Sequence, residues 1–279
     1  MKNKGSVAAI SMVRNDTFFA DKWIDYYGAQ FGHKNLYLFI DGLDQTLPKE
    51  SNKINCFQKP HKPEKRALGD RNRARMISNF AKTLFSKYQV VLAMDIDEFL
   101  VLDPNQSFSL KEYLMQDFST SSLSALGLDV GQHPTLDPPI ILNSSFLSQR
   151  KFTQVSDRYT KPVVALKPII WGSGYHRIRG KNSTIDTHLY LFHFGLVDYL
   201  TATNKASEIE ANEAGWGSHL DRRFSLYQTL KAGIIQEEGF IEKARNTLHK
   251  KRSWFAWNKP APLKGHTLIK IPERFNFIV

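Results

Sequence analysis

The first hundred residues alternate between short apolar runs and segments in which apolar residues recur at helical spacing. Ser6 to Val13, Leu36 to Ile40 and Val90 to Met94 are almost wholly apolar, and Ile54 to Phe57 is a weaker run. Such alternation is typical of β-α-β units around a mostly parallel sheet. The sequence therefore predicts the α/β class, with helices flanking a mixed, mostly parallel central sheet.

Two segments between these runs have the spacing of amphipathic helices. From Thr17 to Phe31 an aromatic residue recurs at every fourth position, and Gly32 can end the helix. Asp70 to Tyr88 also has helical spacing, and three arginines crowd its start: Arg71, Arg73 and Arg75. Positive charge at a helix N-terminus opposes the macrodipole. We therefore expect an anionic neighbour, either Asp70 or Glu64 or a substrate phosphate.

Composition and charge narrow the class of protein. The hydrophobic and charged fractions, 42% and 23% of 279 residues, are ordinary for a globular protein. No stretch reaches the roughly 20 apolar residues that are needed to cross a bilayer. The N-terminus is basic but is followed by only a short apolar run, which does not resemble a signal peptide. The one cysteine, Cys56, suits a reducing compartment, so we expect a cytoplasmic protein. A formal net charge of +11 predicts an anionic partner: nucleic acid, anionic lipid or a phosphorylated small molecule.

Two carboxylates follow the fourth apolar run. Asp95 and Asp97 come directly after Val90 to Met94, and ligands of open α/β sheets bind at the carboxyl ends of strands. Carboxylates one residue apart can share a hard cation such as Mg²⁺ or Mn²⁺, which could neutralise a diphosphate leaving group. HAD-type phosphatases also place Asp-x-Asp after an apolar strand, but in their first strand and with Thr or Val where Phe99 stands here. The pattern therefore favours a divalent cation that neutralises a diphosphate over the nucleophilic aspartate of a HAD-type phosphatase.

Four segments carry a resemblance: Met12 to Asp16, Trp23 to Tyr27, Tyr37 to Gly42 and Asp95 to Leu100. Together they resemble the bacterial family 2 type glycosyltransferases with an Asp-x-Asp-Glu-Phe motif, which are relatives of the family 92 enzymes. The resemblance is good over residues 1–105 and loose beyond. It implies a GT-A fold, a nucleotide-sugar donor, a UDP-sugar before others, and a Mn²⁺ or Mg²⁺ cofactor. The implied activity is that of a hexosyl- or related transferase (EC 2.4).

The resemblance also implies roles for single residues at the nucleotide. Val13, Arg14 and Asp41 are candidates for the nucleotide site, as are Asp95 and the basic residue Lys161. Asp41 could accept a hydrogen bond from uracil or ribose. The alternative for Asp41 is a plain turn, because Gly42 follows it.

Beyond residue 120 the sequence reads as strands and loops, with strands expected at Leu123 to Val130, Val163 to Ile170 and Thr187 to Phe194. We expect one GT-A domain over residues 1–279, in three parts. Residues 1–105 would bind the nucleotide-sugar, residues 106–245 would form the acceptor half, and residues 246–279 would form a basic, aromatic C-terminal segment.

Two histidines match the pattern of the resembled family in this second half. His193 is the expected third metal ligand with Asp95 and Asp97, and the alternative is a satisfied core histidine. His176 could meet phosphate or the acceptor sugar, or be an ordinary loop residue. An inverting transfer needs a carboxylate or imidazole at the acceptor hydroxyl. Glu98, Asp129 and His176 are the candidates, and the family's usual Glu-Asp pair is not found, so the base and the stereochemical outcome stay open.

The partners follow from the donor and from the basic C-terminal segment. His249 to Lys259 mixes cations with Trp254, Phe255 and Trp257, which suits peripheral contact with the anionic inner face of the cell membrane. The alternatives are packing on the core or closure over the donor diphosphate. We expect a glycan or lipid-linked acceptor, in surface polysaccharide synthesis.

Two rival functions remain for such a chain. A non-catalytic nucleic-acid or polyanion-binding protein would explain the charge. The basic residues are dispersed without a recognisable motif, however, so we expect no nucleic-acid partner. A GT-A scaffold that binds sugar without catalysis is the other rival, and the intact Asp95 and Asp97 argue against it.

Overall fold

The structure is a computed structural model. It describes residues 6–141, 143–182, 184–212, 217–250, 258–263, 265 and 267–279, with the side chains of 208–212 and 217–223 left out. In chain order the elements are β1 (Val7–Val13), α1 (Thr17–Phe31), β2 (Leu36–Asp41), β3 (Asn55–Lys59), α2 (Arg66–Leu84), β4 (Val90–Ala93), β5 (Glu98–Leu102), α3 (Leu110–Leu114), β6 (Ser122–Gly131), β7 (Phe152–Ala165), β8 (Thr184–Leu196), α4 (Tyr199–Asn212), α5 (Gly217–Ala232), β9 (Ile234–Gln236), α6 (Phe240–Leu248) and β10 (Thr267–Lys270).

The chain forms two compact units, and the boundary between them falls within β5, β6, β7 and β8. The first unit comprises Met1–Glu98, Gln106–Ala125 and Lys161–Asp186. The second comprises Phe99–Asn105, Leu126–Thr160 and Thr187–Val279. The units therefore interleave along the sequence. The expected division of one domain into three functional parts stays a prediction.

The first unit is built on four parallel strands in the order β3-β2-β1-β4. Ala9 of β1 lies opposite both Leu36 and Leu92, and the last residues of β7 add an antiparallel strand beside β4. The chain leaves β1 toward β2 on one side and later returns to β4 on the other. The sheet therefore has a topological switch point between the carboxyl ends of β1 and β4.

Helices α1 and α2 flank this sheet and confirm the two helical patterns. The aromatic stripe of α1 is buried at all four positions: Phe19, Trp23, Tyr27 and Phe31. The side chain of Asp16 caps the helix by accepting a hydrogen bond from the amide of Phe19, and Gly32 ends it with a φ of 88°. On α2, Ile77 and Ala81 pack against Ala8 and Ile10 of β1. The expected α/β class, with a mostly parallel sheet between helices, is confirmed.

The second unit contains most of the remaining strand residues and the helices α4, α5 and α6. The order of neighbouring strands in this unit is β7, β6, β8 and β5, where β7 contributes its first part. Strand β10 pairs antiparallel with β7 and parallel with β9. An apolar cluster of this unit joins Leu196 and Ala202 to Leu226, Leu230 and Leu268.

Four expectations about secondary structure need correction. Helix α2 begins at Arg66, so its three arginines lie beyond the first turn, where the macrodipole has faded. Strand β7 covers Phe152–Ala165 instead of Val163 to Ile170. Its first half is mostly polar and so contains no apolar run, and Pro168, which cannot donate a ladder hydrogen bond, follows its end. Strand β5 was not expected. Helices α4, α5 and α6 replace the strands and loops that we expected after β8.

Within the described residues, no helix combines the length and the hydropathy that a membrane-spanning segment needs.

Candidate donor site

Polar side chains collect at one edge of the first unit, where its parallel strands end. Arg14 follows β1, Asp41 closes β2, Lys59 closes β3, and Asp95 follows β4. Because parallel strands end at the same edge of a sheet, the fold brings three residues singled out in the sequence, Arg14, Asp41 and Asp95, to one edge. Val13 lies beside them as the last, buried residue of β1.

Asp95 is held between two cations. Its Oδ1 lies 3.0 Å from Nη1 of Arg73, and its Oδ2 accepts a hydrogen bond of 2.8 Å from Nζ of Lys161. Burial alone would raise the pKa of Asp95, but the charges of Lys161 and Arg73 outweigh burial and lower it to about 2. The carboxylate of Asp95 is therefore ionised throughout the neutral range.

Lys161 joins Asp95 to Glu98 in an arrangement that we call the clamp, defined as Asp95, Glu98 and Lys161. Lys161 is only 2% exposed, and its Nζ lies 2.5 Å from Oε1 of the fully buried Glu98. Oε2 of Glu98 accepts a hydrogen bond of 3.2 Å from the backbone amide of Asp95. Burial alone would lower the pKa of Lys161, but Asp95 and Glu98 raise it above its ordinary value. One buried ammonium thus fixes both ends of the Asp95–Glu98 turn.

Arg73 reaches the clamp from α2. Its Nη2 lies 3.4 Å from Oδ1 of Asp70, and its guanidinium lies 5.5 Å from the ring centroid of Tyr175. The expected pairing with Asp70 is confirmed, whereas the pairing with Asp95 was missed. Neither Tyr175 nor Asp95 is near Arg73 in sequence, so only the fold could reveal those two contacts.

Asp41 is more than a turn residue. Its Oδ1 pairs with Nζ of Lys59, and its Oδ2 lies 2.9 Å from Nδ1 of His61. Burial favours a higher pKa, but the hydrogen bonds from Lys59 and His61 lower the pKa of Asp41 below its ordinary value. Sequence reasoning missed Lys59 and His61, although the end of β3 at the same edge was a usable signal. Contact of Asp41 with a nucleotide stays a prediction.

Arg14, which follows β1, stabilises the turn after β2. Its Nη1 donates a hydrogen bond of 2.7 Å to the backbone oxygen of Asp41 and also pairs with Asp44 at 3.3 Å. Gly42 has a φ of 139°, and a Cβ there would lie 2.2 Å from Oδ1 of Asp44. The turn after β2 therefore requires glycine at this position.

The carboxylates of the motif suit a cation that is shared with phosphate. Within the described ranges, no three His, Cys, Asp or Glu side chains form a metal-ligating group. A cation at Asp95 would have to compete with Arg73 and Lys161. Asp97 is 8% exposed, and its charge disfavours ionisation of Asp95, so the two carboxylates lie close. Mg²⁺ is commonly held by one or two carboxylates together with substrate phosphates, and the residues fit that arrangement, with Asp97 as the protein ligand.

Two further candidates come together in the second unit. Oδ1 of Asp129 lies 2.6 Å from Nδ1 of His193, and the ring of Tyr159 stacks on the imidazole at a centroid distance of 3.8 Å. This contact orients the imidazole and favours the tautomer that carries its proton on Nδ1. From the sequence we expected separate roles for Asp129 and His193, as base and metal ligand, and Tyr159 was missed. The roles of Asp129 and His193 in catalysis or ligation stay predictions.

The remaining candidates are less informative. His176 lies in the first unit directly after Tyr175, and its role stays a prediction. Both oxygens of Glu98 are engaged by the clamp, which gives it a structural task, and its role as a base is also untested. Trp254, Phe255 and Trp257 lie outside the described residues.

Comparison with known proteins gives no family. No family model and no curated protein matches the chain. A crystal structure of a glycosyltransferase involved in the glycosylation of the major capsid of PBCV-1 is similar over 49% of this chain and 56% of that chain, with 16% identity and a TM-score of 0.24. Mannose-1-phosphate geranyltransferase from Thermus thermophilus is similar over 97% and 76%, with 9% identity and a TM-score of 0.31. The chain thus spans little more than half of the first of these proteins, and likeness at such scores establishes no shared function.

Proposed function

We propose that this protein is a metal-dependent glycosyltransferase of the GT-A type, which transfers a sugar from a nucleotide-sugar, first of all a UDP-sugar, to a glycan or lipid-linked acceptor. The observation that carries the proposal is the Asp95–Glu98 turn. It lies at the carboxyl end of β4, beside the switch point of the sheet, and is clamped by Lys161. Ligands of open α/β sheets bind in this crevice.

The charges of this edge suit a nucleoside diphosphate together with a dication. Arg14, Lys59 and Arg73 supply cations near Asp41 and Asp95. Asp97 would hold Mn²⁺ or Mg²⁺, which supplies Lewis-acid stabilisation of the departing diphosphate when bound. The chain's own residues bind and orient the donor, because the clamp and the ion pairs of Asp41 fix their side chains beforehand.

We propose the acceptor from the chemistry of the transfer, without support from a structural contact. A sugar that leaves a nucleotide must meet a nucleophilic hydroxyl, and we propose that this hydroxyl belongs to a growing surface polysaccharide or its lipid carrier. A lipid carrier would explain the basic and aromatic composition of His249 to Lys259. The protein would then work at the inner face of the membrane, bound at its surface.

The test is a thermal-shift screen of UDP, GDP and their sugar conjugates, with Mn²⁺ or with a chelator. A ligand that binds only the folded state raises the apparent melting temperature. We expect a nucleoside diphosphate to raise it more with Mn²⁺ than with the chelator, and Asp97→Asn to remove the difference. The exposed Asp117 gives the matched control, Asp117→Asn.

Two results would contradict the proposal. One is the lack of any shift with every nucleotide, with or without the metal. The other is tight nucleic-acid binding that Asp95→Asn leaves unchanged while sugar nucleotides never bind, because that pattern belongs to a polyanion-binding protein.

A further inference from the structure

We infer that Arg73 binds the diphosphate of the donor, and that Asp95 positions Arg73 for this contact instead of ligating the metal. The inference rests on the proposed function, since it names a residue of the same donor site. It goes beyond the Asp-x-Asp motif because Arg73 belongs to a different element, α2.

The first argument is the geometry of the guanidinium. Two carboxylates, Asp70 and Asp95, hold its two terminal nitrogens from different elements, and the buried ring of Tyr175 lies 5.5 Å away. The two ion pairs and the neighbouring ring together restrict the planar guanidinium of Arg73 to a narrow range of orientations. An arginine that is fixed before the ligand arrives loses less conformational freedom on binding than a mobile one.

The second argument is the number of donors that remain. A guanidinium carries five N–H groups, and its two carboxylate contacts use one nitrogen each. The side chain of Arg73 is 26% exposed, so it is mostly buried but not sealed from solvent. Among the described residues, Arg73 has no further ion pair or hydrogen bond. N–H donors at the carboxyl end of β4 thus remain available for phosphate oxygens, which an arginine fork fits well.

The third argument is the balance of charge. Asp70, Asp95 and Glu98 are matched by three bases in contact with them: Arg66, Arg73 and Lys161. The two carboxylates that hold Arg73 are each shared with a second base, Asp70 with Arg66 and Asp95 with Lys161. They therefore keep a positive partner when the guanidinium of Arg73 also contacts a phosphate.

The alternative is a purely structural Arg73, and the two roles differ in a measurable way. A structural arginine lowers stability when it is replaced but treats all nucleotides alike. A diphosphate-binding arginine discriminates between a nucleoside diphosphate and its bare nucleoside. Arg73→Met leaves Asp95 its contact with Lys161, so we expect the variant to fold.

The experiment measures the affinity of the wild type and of Arg73→Met for UDP and GDP by calorimetry with Mn²⁺, and for uridine and guanosine by ligand-observed NMR. We expect the affinity for the preferred diphosphate to fall about tenfold or more, which is the range for a lost charge-assisted hydrogen bond. The affinity for the nucleoside should stay within twofold. Arg71→Met, on the same helix and exposed, is the matched control and should bind as the wild type does.

A conservative variant keeps the test informative if Arg73→Met fails to fold. Arg73→Lys keeps the charge but loses the fork, and we expect an intermediate loss of diphosphate affinity. If the wild type binds a diphosphate and both variants bind it equally well, Arg73 has no such role although the proposed function survives. If the wild type binds neither UDP nor GDP, the proposed function fails and the inference fails with it.

Discussion

At the scale of single residues, the clamp illustrates how much a buried charge depends on its partners. Lys161 is fully enclosed, and its two acids are supplied by the turn after β4. An ammonium without partners would be expelled or neutralised there, because the desolvation penalty of a buried ion is several kcal/mol. Lys161, Asp95 and Glu98 are therefore energetically interdependent.

This interdependence predicts the effect of Lys161→Met. The variant leaves Glu98 buried without its ammonium, so we expect a loss of about 3–5 kcal/mol in the free energy of unfolding, measured with urea. The double variant Lys161→Met with Glu98→Gln removes both charges and should recover part of that loss. A loss below about 1 kcal/mol in the single variant would contradict the clamp.

The pKa of Asp95 predicts a dependence of stability on pH. Its value of about 2 in the folded state lies below the usual 3.8, so the unfolded state binds more protons between these values. The resulting stabilisation, about 2 kcal/mol, is fully present above pH 4 and is lost as the pH falls toward 2. Urea unfolding of the wild type and of Asp95→Asn should converge over this range. A constant difference between the two proteins would show that Asp95 does not titrate in this way.

At the scale of elements, the predictions from sequence succeeded where one periodicity dominated. Helix α1 has the expected bounds because aromatic residues repeat every fourth position and Gly32 ends the pattern. The first part of β7 was missed because its residues are mostly polar and show neither an apolar run nor a regular alternation. The helical spacing of Ile241, Ala244 and Leu248 in α6 was visible in the sequence and was overlooked.

Close packing of strands gives a prediction at this scale. A Cβ on Gly127 of β6 would lie 2.2 Å from the backbone carbon of Tyr159 on β7, so Gly127→Ala requires the two strands to separate. We expect a loss of about 2 kcal/mol or more in urea unfolding. Gly239→Ala, where no atom lies within 4 Å, is the control and should change stability by less than about 0.5 kcal/mol. Equal stability of the two variants would contradict the described strand spacing.

At the scale of the whole molecule, the excess of basic residues is the dominant property. A net charge of +11 attracts anionic surfaces and raises the concentration of anionic ligands near the protein. Much of this attraction acts through exposed side chains and is screened by salt, whereas the partly buried ion pairs of Asp41 and Asp95 are screened less. Salt should therefore separate surface association from nucleotide binding.

The proposed binding to the membrane surface gives a test of the net positive charge. Wild-type protein should co-sediment with vesicles that contain anionic lipid and should be released as salt rises. Replacing Trp254, Phe255 and Trp257 together with Ser should lower the bound fraction several-fold, because the aromatic anchors are removed while the charge stays. Co-sedimentation that is unchanged by the triple replacement would exclude this segment as the anchor.

The sequence by itself determined the α/β class, the order of the first four strands and of the two helices among them, and the position of Asp95 and Asp97 after a buried strand. These are local properties, since periodicity and turn residues act over a few neighbours. Only the tertiary structure decided that Lys161 and Arg73 meet Asp95, that His61 meets Asp41, and that Asp129 meets His193. Such contacts join segments that are 20 to 66 residues apart. Their formation depends on strand order and packing, which no local pattern specifies.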